Sequence, residues 1–276
     1  MSQAGPTVSE RVADLGTRPL GYRVFQPSQP TGIPLVLIHG AGRAAAAQLR
    51  AFLPAAVRLG VPLLCPTFDR EHYGSFHRLG GAHGRYAARD ALLDLLDDAQ
   101  RVFGVDTSLV DIAGYSAGAQ FAHRFAMTTP TRVNRVVVAA AGWYTYLDDS
   151  RAFPFGTQGI ADECGDDPPL DPNALLEHPT LVLVGEHDTE RDADLRTSVR
   201  LDRVQGPNRL IRALAWADHL DDQATCRGVP RLVRFELLPD TGHGFAEAVR
   251  HGGLVGRVMA HVRPELTDTA TERSRP

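Results

Sequence analysis

The 276-residue chain predicts an α/β fold: a mostly parallel central sheet with helices on both faces. Short apolar runs, such as 35–39, 135–141 and 180–185, have the composition of strands that are buried on both faces. They alternate with longer stretches, such as 85–104, in which apolar residues recur at helical spacing. This alternation is typical of parallel strands joined by helical crossovers. The loops that follow the strands should therefore meet along the carboxyl edge of the sheet.

Seven strands and five helices are predicted, and residues 1–20 have only weak strand character. The predicted strands are 21–27, 35–39, 61–66, 109–116, 135–141, 180–185 and 232–239. The predicted helices are 44–60, 85–104, 117–129, about 206–224 and 245–262. Pro54 is expected to kink or divide the first helix, because proline lacks the N–H that a helix interior needs.

The alternation predicts a single domain over residues 1–265, followed by a polar tail, 266–276, that is expected to be disordered. Within the domain, 142–179 is rich in Pro, Gly and Asp and shows no clear element. A connection of that length inside a compact domain is typical of a lid or a binding loop. We interpret it as an insertion over the carboxyl edge of the sheet.

Composition excludes several classes of function. The net charge is −4, and no cationic run is present, so a nucleic-acid partner is not expected. All 29 basic residues are arginine, which excludes Schiff-base catalysis and a phosphate-binding P-loop, because both need lysine. The three cysteines are odd in number and widely spaced, which fits neither a disulfide framework nor a zinc pair.

The sequence shows no pattern of a secretory signal or of a membrane span. The first residues lack the cationic and apolar regions of a secretory signal, and no apolar run reaches the roughly 18–20 residues that span a bilayer. We therefore expect a cytoplasmic protein that is not inserted in a membrane.

The segment Gly114-Tyr115-Ser116-Ala117-Gly118 has the G-x-S-x-G pattern and lies between a predicted strand and a predicted helix. In this context the pattern is typical of a nucleophile elbow, the tight turn that presents a catalytic serine above a sheet. Glycine is needed on both sides because larger side chains would collide with the adjacent strand and helix. Ser116 is the predicted nucleophile.

The apolar run 35–39 ends at His39 and continues into Gly40-Ala41-Gly42. Such a loop is where serine hydrolases place the second donor of an oxyanion hole. The backbone N–H of Ala117 is predicted as one donor and that of Ala41 as the other, with Gly42 as the alternative. His39 itself is expected to be structural and to hold the loop through hydrogen bonds.

Two further strand ends carry candidate catalytic side chains. Asp188 follows the strand 180–185, where a carboxylate could reach a histidine on a neighbouring loop. Glu186, Asp192 and Asp194 are close in sequence and remain alternatives for that acid. His243 lies between two glycines directly after the strand 232–239, and it completes the chain order Ser…Asp…His.

The segments LVLIHGAG, GYSAG, VGEHD and TGHGF resemble, in this order, the landmark segments of the α/β-hydrolase superfamily, and the resemblance spans about residues 35–245. The stretch 185–212 is similar to the polyhydroxyalkanoate-depolymerase and feruloyl-esterase-like branches. The resemblance implies the α/β-hydrolase fold and a triad of Ser116, Asp188 and His243 for acyl transfer. The insertion departs from the family pattern because it lacks the clear helices of a typical helical cap.

These features predict a serine hydrolase that cleaves a carboxylic ester of a small-molecule acyl substrate through an acyl-enzyme on Ser116, with a thioester or an amide as alternatives. No cofactor is required. Trp143, Tyr144 and Phe153 are expected to wall an apolar substrate pocket, unless they only pack the insertion. Two other functions remain open: a lyase, C–C hydrolase or acyl-transferring cyclase on the same scaffold, and a non-catalytic ligand-binding protein.

No metal site is expected. His72, His77 and His83 have a spacing that fits no helix face, and no carboxylate pattern completes a site. Asp188, Asp192 and Asp194 resemble part of a calcium loop, but the glycine and the closing glutamate of such a loop are missing.

Overall fold

A computed structural model describes residues 5–13, 19–81, 84, 86–160 and 170–265. The predicted tail 266–276, part of the insertion (161–169) and His83 lie outside the described residues. Eight described strands form one sheet in the order β1-β2-β4-β3-β5-β6-β7-β8. They are β1 Thr7–Ala13, β2 Leu20–Gln26, β3 Leu35–Ile38, β4 Leu63–Thr67, β5 Val110–Tyr115, β6 Val133–Ala139, β7 Thr180–Gly185 and β8 Val233–Leu238.

The sheet is mostly parallel, as predicted. Strands β1 and β2 pair antiparallel at one edge, and β2 also pairs antiparallel with β4. From β4 to β8 every neighbouring pair is parallel. The carboxyl ends of β3, β5, β7 and β8 therefore lie along one edge of the sheet, and each is followed by a segment with a predicted functional residue.

Seven α-helices in the described part of the chain cover the two faces of the sheet. They are α1 Ala45–Leu59, α2 Ala87–Phe103, α3 Ala117–Thr128, α4 Val199–Gln205, α5 Arg209–Arg227, α6 Phe245–Arg250 and α7 Leu254–Val262. One apolar core joins α2, α3 and α5 to the sheet, and a second core joins α1, α6 and α7 to its other face. Strand β3 contributes to both, because Val36 and Ile38 enter the first core while Leu35 and Leu37 enter the second. No described helix is both long and apolar enough to cross a bilayer.

The structure revises two predictions of helix boundaries: the division of the first helix at Pro54, one of two expected outcomes, and the single helix 245–262. Pro54 does not divide α1, which continues through it from Ala45 to Leu59. Pro54 and Arg50 both lie on the exposed face of that helix, so the carbonyl that loses its donor faces water rather than the core. The predicted helix 245–262 is two helices, because Gly253 adopts a left-handed conformation with φ of 66° between them.

In its described parts, the segment 142–179 has no α-helix or strand and contains one short 3₁₀ helix, Pro172–Glu177. The backbone polar groups at its start are bound by side chains from the helices beneath it, and residues 146–160 also form backbone hydrogen bonds with one another. The Gln205 amide accepts from the N–H of Tyr144 (2.9 Å) and donates to its carbonyl oxygen (2.8 Å). His123 Nε2 accepts from the N–H of Thr145 (3.1 Å), and Trp216 Nε1 donates to the carbonyl oxygen of Thr145 (2.8 Å). Residues 142–147 can thus remain buried without regular structure, because their backbone has partners.

A buried ion pair joins the end of the last helix to the start of β5. Arg263 Nη1 lies 2.9 Å from Asp111 Oδ2, and both side chains are almost fully buried. The same guanidinium also donates to the carbonyl oxygens of Thr31 and Ile33, in the segment that leads into β3. Arg263 therefore connects three parts of the chain that are distant in sequence.

Replacing Arg263 with methionine should lower the free energy of unfolding by about 3–5 kcal/mol, because the Asp111 carboxylate would remain buried without its counter-charge. The matched control is Arg234→Met, which removes an exposed pair with Glu236 and should change stability by no more than about 1 kcal/mol. Urea unfolding followed by circular dichroism would measure both. Equal losses in the two variants would contradict a structural role for the buried pair.

Candidate active site

Ser116 lies in the turn between β5 and α3, at the carboxyl edge of the sheet. Its φ of 55° and ψ of −114° are strained for a residue with a side chain. Such strain is what a nucleophile elbow requires, since the turn must present the serine Oγ above the sheet while the next residue already begins a helix. The Ser116 N–H donates to the carbonyl oxygen of Ala139 at the end of β6 (2.8 Å), which fixes the elbow against the neighbouring strand.

The two glycines of the motif are required by close backbone contacts. A Cβ on Gly114 would lie 2.1 Å from the carbonyl oxygen of Gly118, and a Cβ on Gly118 would lie 2.1 Å from the carbonyl oxygen of Ile38. Real Cβ atoms do not approach backbone oxygens so closely. The glycines therefore allow β3, β5 and α3 to meet at the point where the serine is held.

Three predicted residues that are distant in sequence lie in one hydrogen-bonded chain. Ser116 Oγ is 3.1 Å from Nε2 of His243, and Nδ1 of His243 is 2.8 Å from Oδ2 of Asp188. Asp188 is buried, whereas Ser116 and His243 are half-buried and face the cleft. With the Nδ1–H donated to the carboxylate, Nε2 is left to accept the serine proton.

The loops that carry Asp188 and His243 are held against each other. Gly185, the last residue of β7, comes so close to the histidine loop that a Cβ there would lie 2.3 Å from the carbonyl oxygens of both Thr241 and Gly242. The N–H of His187 donates to Thr241 O (2.8 Å), and the N–H of Gly242 donates to Glu247 Oε2 (3.0 Å). The parallel pairing of β7 with β8 brings these loops together.

Arg209, at the start of α5, was not singled out from the sequence, yet it joins two of the acids that the sequence left as alternatives. Its buried guanidinium donates to both oxygens of Asp192 (2.7 and 2.8 Å) and lies 3.4 Å from Asp188 Oδ1. The hydrogen bond from Arg209 lowers the pKa of Asp192 to about 2. Asp188 faces His243 and Asp192 faces Arg209, so their positions differ although their sequence spacing allowed either as the acid.

The predicted oxyanion donors lie beside Ser116. Ala117 is the first residue of α3, where the helix supplies no acceptor for the backbone N–H. Ala41 and Gly42 occupy the central positions of a turn closed by the N–H of Arg43 and the carbonyl oxygen of Gly40 (3.0 Å). All three predicted donors line the same cleft as the serine.

His39, at the end of β3, holds this turn from below. Its Nε2 accepts from the N–H of Phe68 (3.0 Å), and its Nδ1 lies 2.9 Å from the carbonyl oxygen of Gly40. Burial lowers the pKa of His39 to about 4, so the ring is neutral at neutral pH and can act as donor and acceptor at once.

Comparison with solved structures identifies the family. Poly(aspartic acid) hydrolase-1 from Sphingomonas sp. KT-1 is 25% identical, with a TM-score of 0.73 over 87% of this chain and 95% of that one. A poly(3-hydroxybutyrate) depolymerase from Bordetella parapertussis is 24% identical, with a TM-score of 0.70 over 92% and 94%. The chain belongs to the α/β-hydrolase superfamily. An esterase from Pyrobaculum calidifontis has a TM-score of 0.59 at 16% identity, over 96% of this chain and 87% of that one.

No family model and no curated protein sequence matches this chain. The superfamily membership therefore depends on the shape of the fold and on the order of the motifs. The similar structures are hydrolases and esterases, which supports a hydrolase.

The cleft of this α/β-hydrolase has a volume of about 460 Å³ and extends from the oxyanion turn to the insertion. Of the three predicted pocket residues, Trp143 lines it. The prediction was wrong for the other two. Tyr144 is fully buried and stacks on Trp216 with ring centroids 4.7 Å apart, and Phe153 packs near Tyr86. Their backbone turns their rings into the core, an orientation that aromatic composition alone does not specify.

The loop histidines do not converge on a metal position in the described part of the chain. His72 Nδ1 lies 3.1 Å from the carboxylate oxygens of Asp69, whereas His77 lines the cleft. Among the described residues, the one group with converging ligand atoms is Glu186, His187 and Asp240, and all three are exposed. Exposed acidic clusters are common without an ion, so we assign no metal to it.

Substituting alanine for Gly118 should lower the free energy of unfolding by at least about 1–3 kcal/mol, because the new methyl group would force the helix away from Ile38 O. Gly256→Ala is the control, since Gly256 lies in α7 with no atom within 4 Å of its missing Cβ. That variant should gain roughly 0.5–1 kcal/mol from helix propensity. Thermal and urea unfolding would measure both, and a stable Gly118→Ala protein would show that the close approach is not needed.

Proposed function

We propose that this protein is a serine hydrolase that cleaves a carboxylic ester through an acyl-enzyme on Ser116. The observation that carries the proposal is the hydrogen-bonded chain from Ser116 Oγ through His243 to the buried carboxylate of Asp188, at the edge of a cleft. A serine hydroxyl is a weak nucleophile at neutral pH, and an adjacent imidazole can take its proton as the hydroxyl attacks.

In the acylation step, Ser116 Oγ forms a bond to the carbonyl carbon of the substrate while His243 Nε2 takes the serine proton. Asp188 holds the ring through Nδ1 and stabilises the imidazolium without itself becoming protonated. The N–H groups of Ala117 and Ala41, or Gly42 in place of Ala41, donate to the oxyanion. The carbon–oxygen bond to the alcohol then breaks, and the alcohol leaves with the proton from His243.

Deacylation repeats these steps with water. His243 takes a proton from a water molecule, whose oxygen bonds to the acyl carbon, and the same N–H groups stabilise the second oxyanion. The bond to Ser116 Oγ breaks, the carboxylic acid is released, and the proton returns from His243 to the serine. No step requires a cofactor.

The names of the similar proteins support an acyl substrate. They are named for poly(aspartic acid), poly(3-hydroxybutyrate) and S-formylglutathione, and others are named as esterases. A carboxylic ester is the substrate class that we propose, with thioesters and amides as related acyl substrates. Trp143 would contact the part of the substrate that extends toward the insertion.

Replacing Ser116 with alanine should leave the fold intact and lower ester turnover by several orders of magnitude, because the nucleophile is removed. A fluorophosphonate probe should label the wild-type protein at Ser116 and leave the variant unlabelled, as read by mass spectrometry of the intact protein and its peptides. Hydrolysis of 4-nitrophenyl esters would be measured in parallel.

Three results would contradict this proposal. Labelling of a different residue would assign the nucleophile to that residue instead of Ser116. A wild-type protein that neither reacts with the probe nor cleaves any ester would favour a ligand-binding role, whereas labelling without ester cleavage would favour lyase, C–C or acyl-transfer chemistry on the same scaffold.

Asparagine at position 188 should lower kcat by about 10⁴-fold, because an amide no longer fixes the productive histidine tautomer. Asn at position 192 is the matched control. Asp192 contacts Arg209 and not His243, so we expect a loss of no more than about tenfold from the weakened support of Arg209. Steady-state kinetics on one ester would measure kcat for both variants. A larger loss of kcat in Asp192→Asn than in Asp188→Asn would assign the acid to Asp192.

A further inference from the structure

The wall of the cleft carries positive charge that the proposed chemistry does not use. Arg78, Arg196 and Arg209 all line it. The charge of Arg209 is balanced by its two aspartates. Arg78 and Arg196 differ, because no carboxylate in the described part of the chain lies within ion-pair distance of either one.

These two guanidinium groups converge on the ring of Trp143. The guanidinium carbon of Arg196 lies 5.7 Å from the ring centroid, and that of Arg78 lies 5.9 Å from it. A third arginine, Arg124, lies closer, at 4.1 Å. The face of an aromatic ring attracts a cation, but it does not neutralise the positive charge as a carboxylate would.

Arg124 is fully buried and also lacks an acidic partner among the described residues. Its guanidinium donates to Thr145 Oγ1, to the carbonyl oxygen of His77 and to the Gln120 amide oxygen, while Nη2 has no hydrogen-bond partner. A buried cation whose only partners are neutral is costly. Its charge lies 4.1 Å from the ring of Trp143, which lines the cleft, so it adds to the positive charge on that side of the cleft.

The pKa values of two groups at this wall are lowered first by burial and then by neighbouring arginines. Burial lowers the pKa of His77 to about 3, with Arg124 and Arg78 as the next causes, so this cleft histidine is neutral at neutral pH. Burial and the charge of Arg196 lower the pKa of Arg78. Asp194 also lines the cleft and opposes the positive field, but it is exposed, and its charge does not balance two arginines.

We propose that the substrate of this site carries a carboxylate in addition to its scissile acyl bond, and that Arg78 and Arg196 bind this carboxylate beside Trp143. The inference rests on the proposed function, because it assigns a substrate class to the same cleft. Two guanidinium groups that share one wall suit a carboxylate, since each presents planar N–H donors that match its oxygens. The substrate class is therefore a half-ester of a dicarboxylic acid or another acyl compound with a free carboxylate.

The test compares matched esters that differ only at the far end of the acyl chain. The 4-nitrophenyl half-esters of glutaric, adipic, pimelic and suberic acids each pair with the 4-nitrophenyl ester of the monocarboxylic acid of equal chain length. The neutral terminal amide of each half-ester controls for polarity. For at least one chain length, kcat/KM should be about tenfold or more higher with the carboxylate than with either neutral ester, and the preference should fall with added salt.

Substitution of the two arginines tests whether these residues bind the substrate carboxylate. Arg196→Gln and Arg78→Gln should each lower the ratio of kcat/KM for the charged ester to that for the neutral ester by about tenfold. Arg200→Gln removes the same charge from an exposed position that lines a different pocket, and it should keep the wild-type ratio. Arg196 is exposed, so its variant keeps the test decisive even if the half-buried Arg78 is needed for folding.

The outcomes separate this inference from the proposed function. The protein could cleave neutral esters through Ser116 and show no preference for the carboxylate at any chain length. That result would overturn the inference but would still agree with the proposed serine hydrolase function. A preference that survives both arginine substitutions would overturn the assignment to Arg78 and Arg196. A protein that cleaves none of the esters and resists the fluorophosphonate would overturn both proposals.

Discussion

The site depends on a close approach of backbone to backbone. The carbonyl oxygens of Ile38 and Gly118 occupy the space that Cβ atoms on Gly118 and Gly114 would fill, so β3, β5 and α3 can meet only through glycine. This contact holds Ser116 in a conformation that costs of order 1–3 kcal/mol and that the surrounding sheet must stabilise. The first amide of α3 and the turn after β3 lie beside the serine for the same reason.

Parallel strand pairing supplies the other two members of the hydrogen-bonded chain. Because β7 and β8 are neighbours, the loops after them meet, and Asp188 and His243 lie 2.8 Å apart although 55 residues separate them. Arg209 then separates the acids: it binds Asp192 through both oxygens and lies within 3.4 Å of Asp188. The carboxylate at 188 is thus buried between an imidazole and a guanidinium, in one fixed orientation.

The start of the insertion is held by the helices beneath it, whereas residues 146–160 also bond to one another through their backbone. Gln205, His123 and Trp216 supply partners for the backbone of residues 144 and 145, which places the adjacent Trp143 at the wall of the cleft. His123 can serve because burial keeps its ring neutral, with Nδ1 beside a helix carbonyl oxygen and Nε2 free to accept. The same packing buries Arg124 against Trp143, which adds a positive charge to the side of the cleft where Arg78 and Arg196 lie.

By itself, the sequence determined the α/β class and the positions of seven strands, and it identified Ser116, Asp188 and His243 as candidates. It could do so because the spacing of apolar residues and the positions of glycines are local signals. Tertiary structure decided which acid faces the histidine, and it turned Tyr144 and Phe153 into the core. It also brought Arg78 and Arg196 to one ring. These outcomes depend on contacts between residues far apart in the chain, and no local pattern encodes the direction in which a loop side chain points.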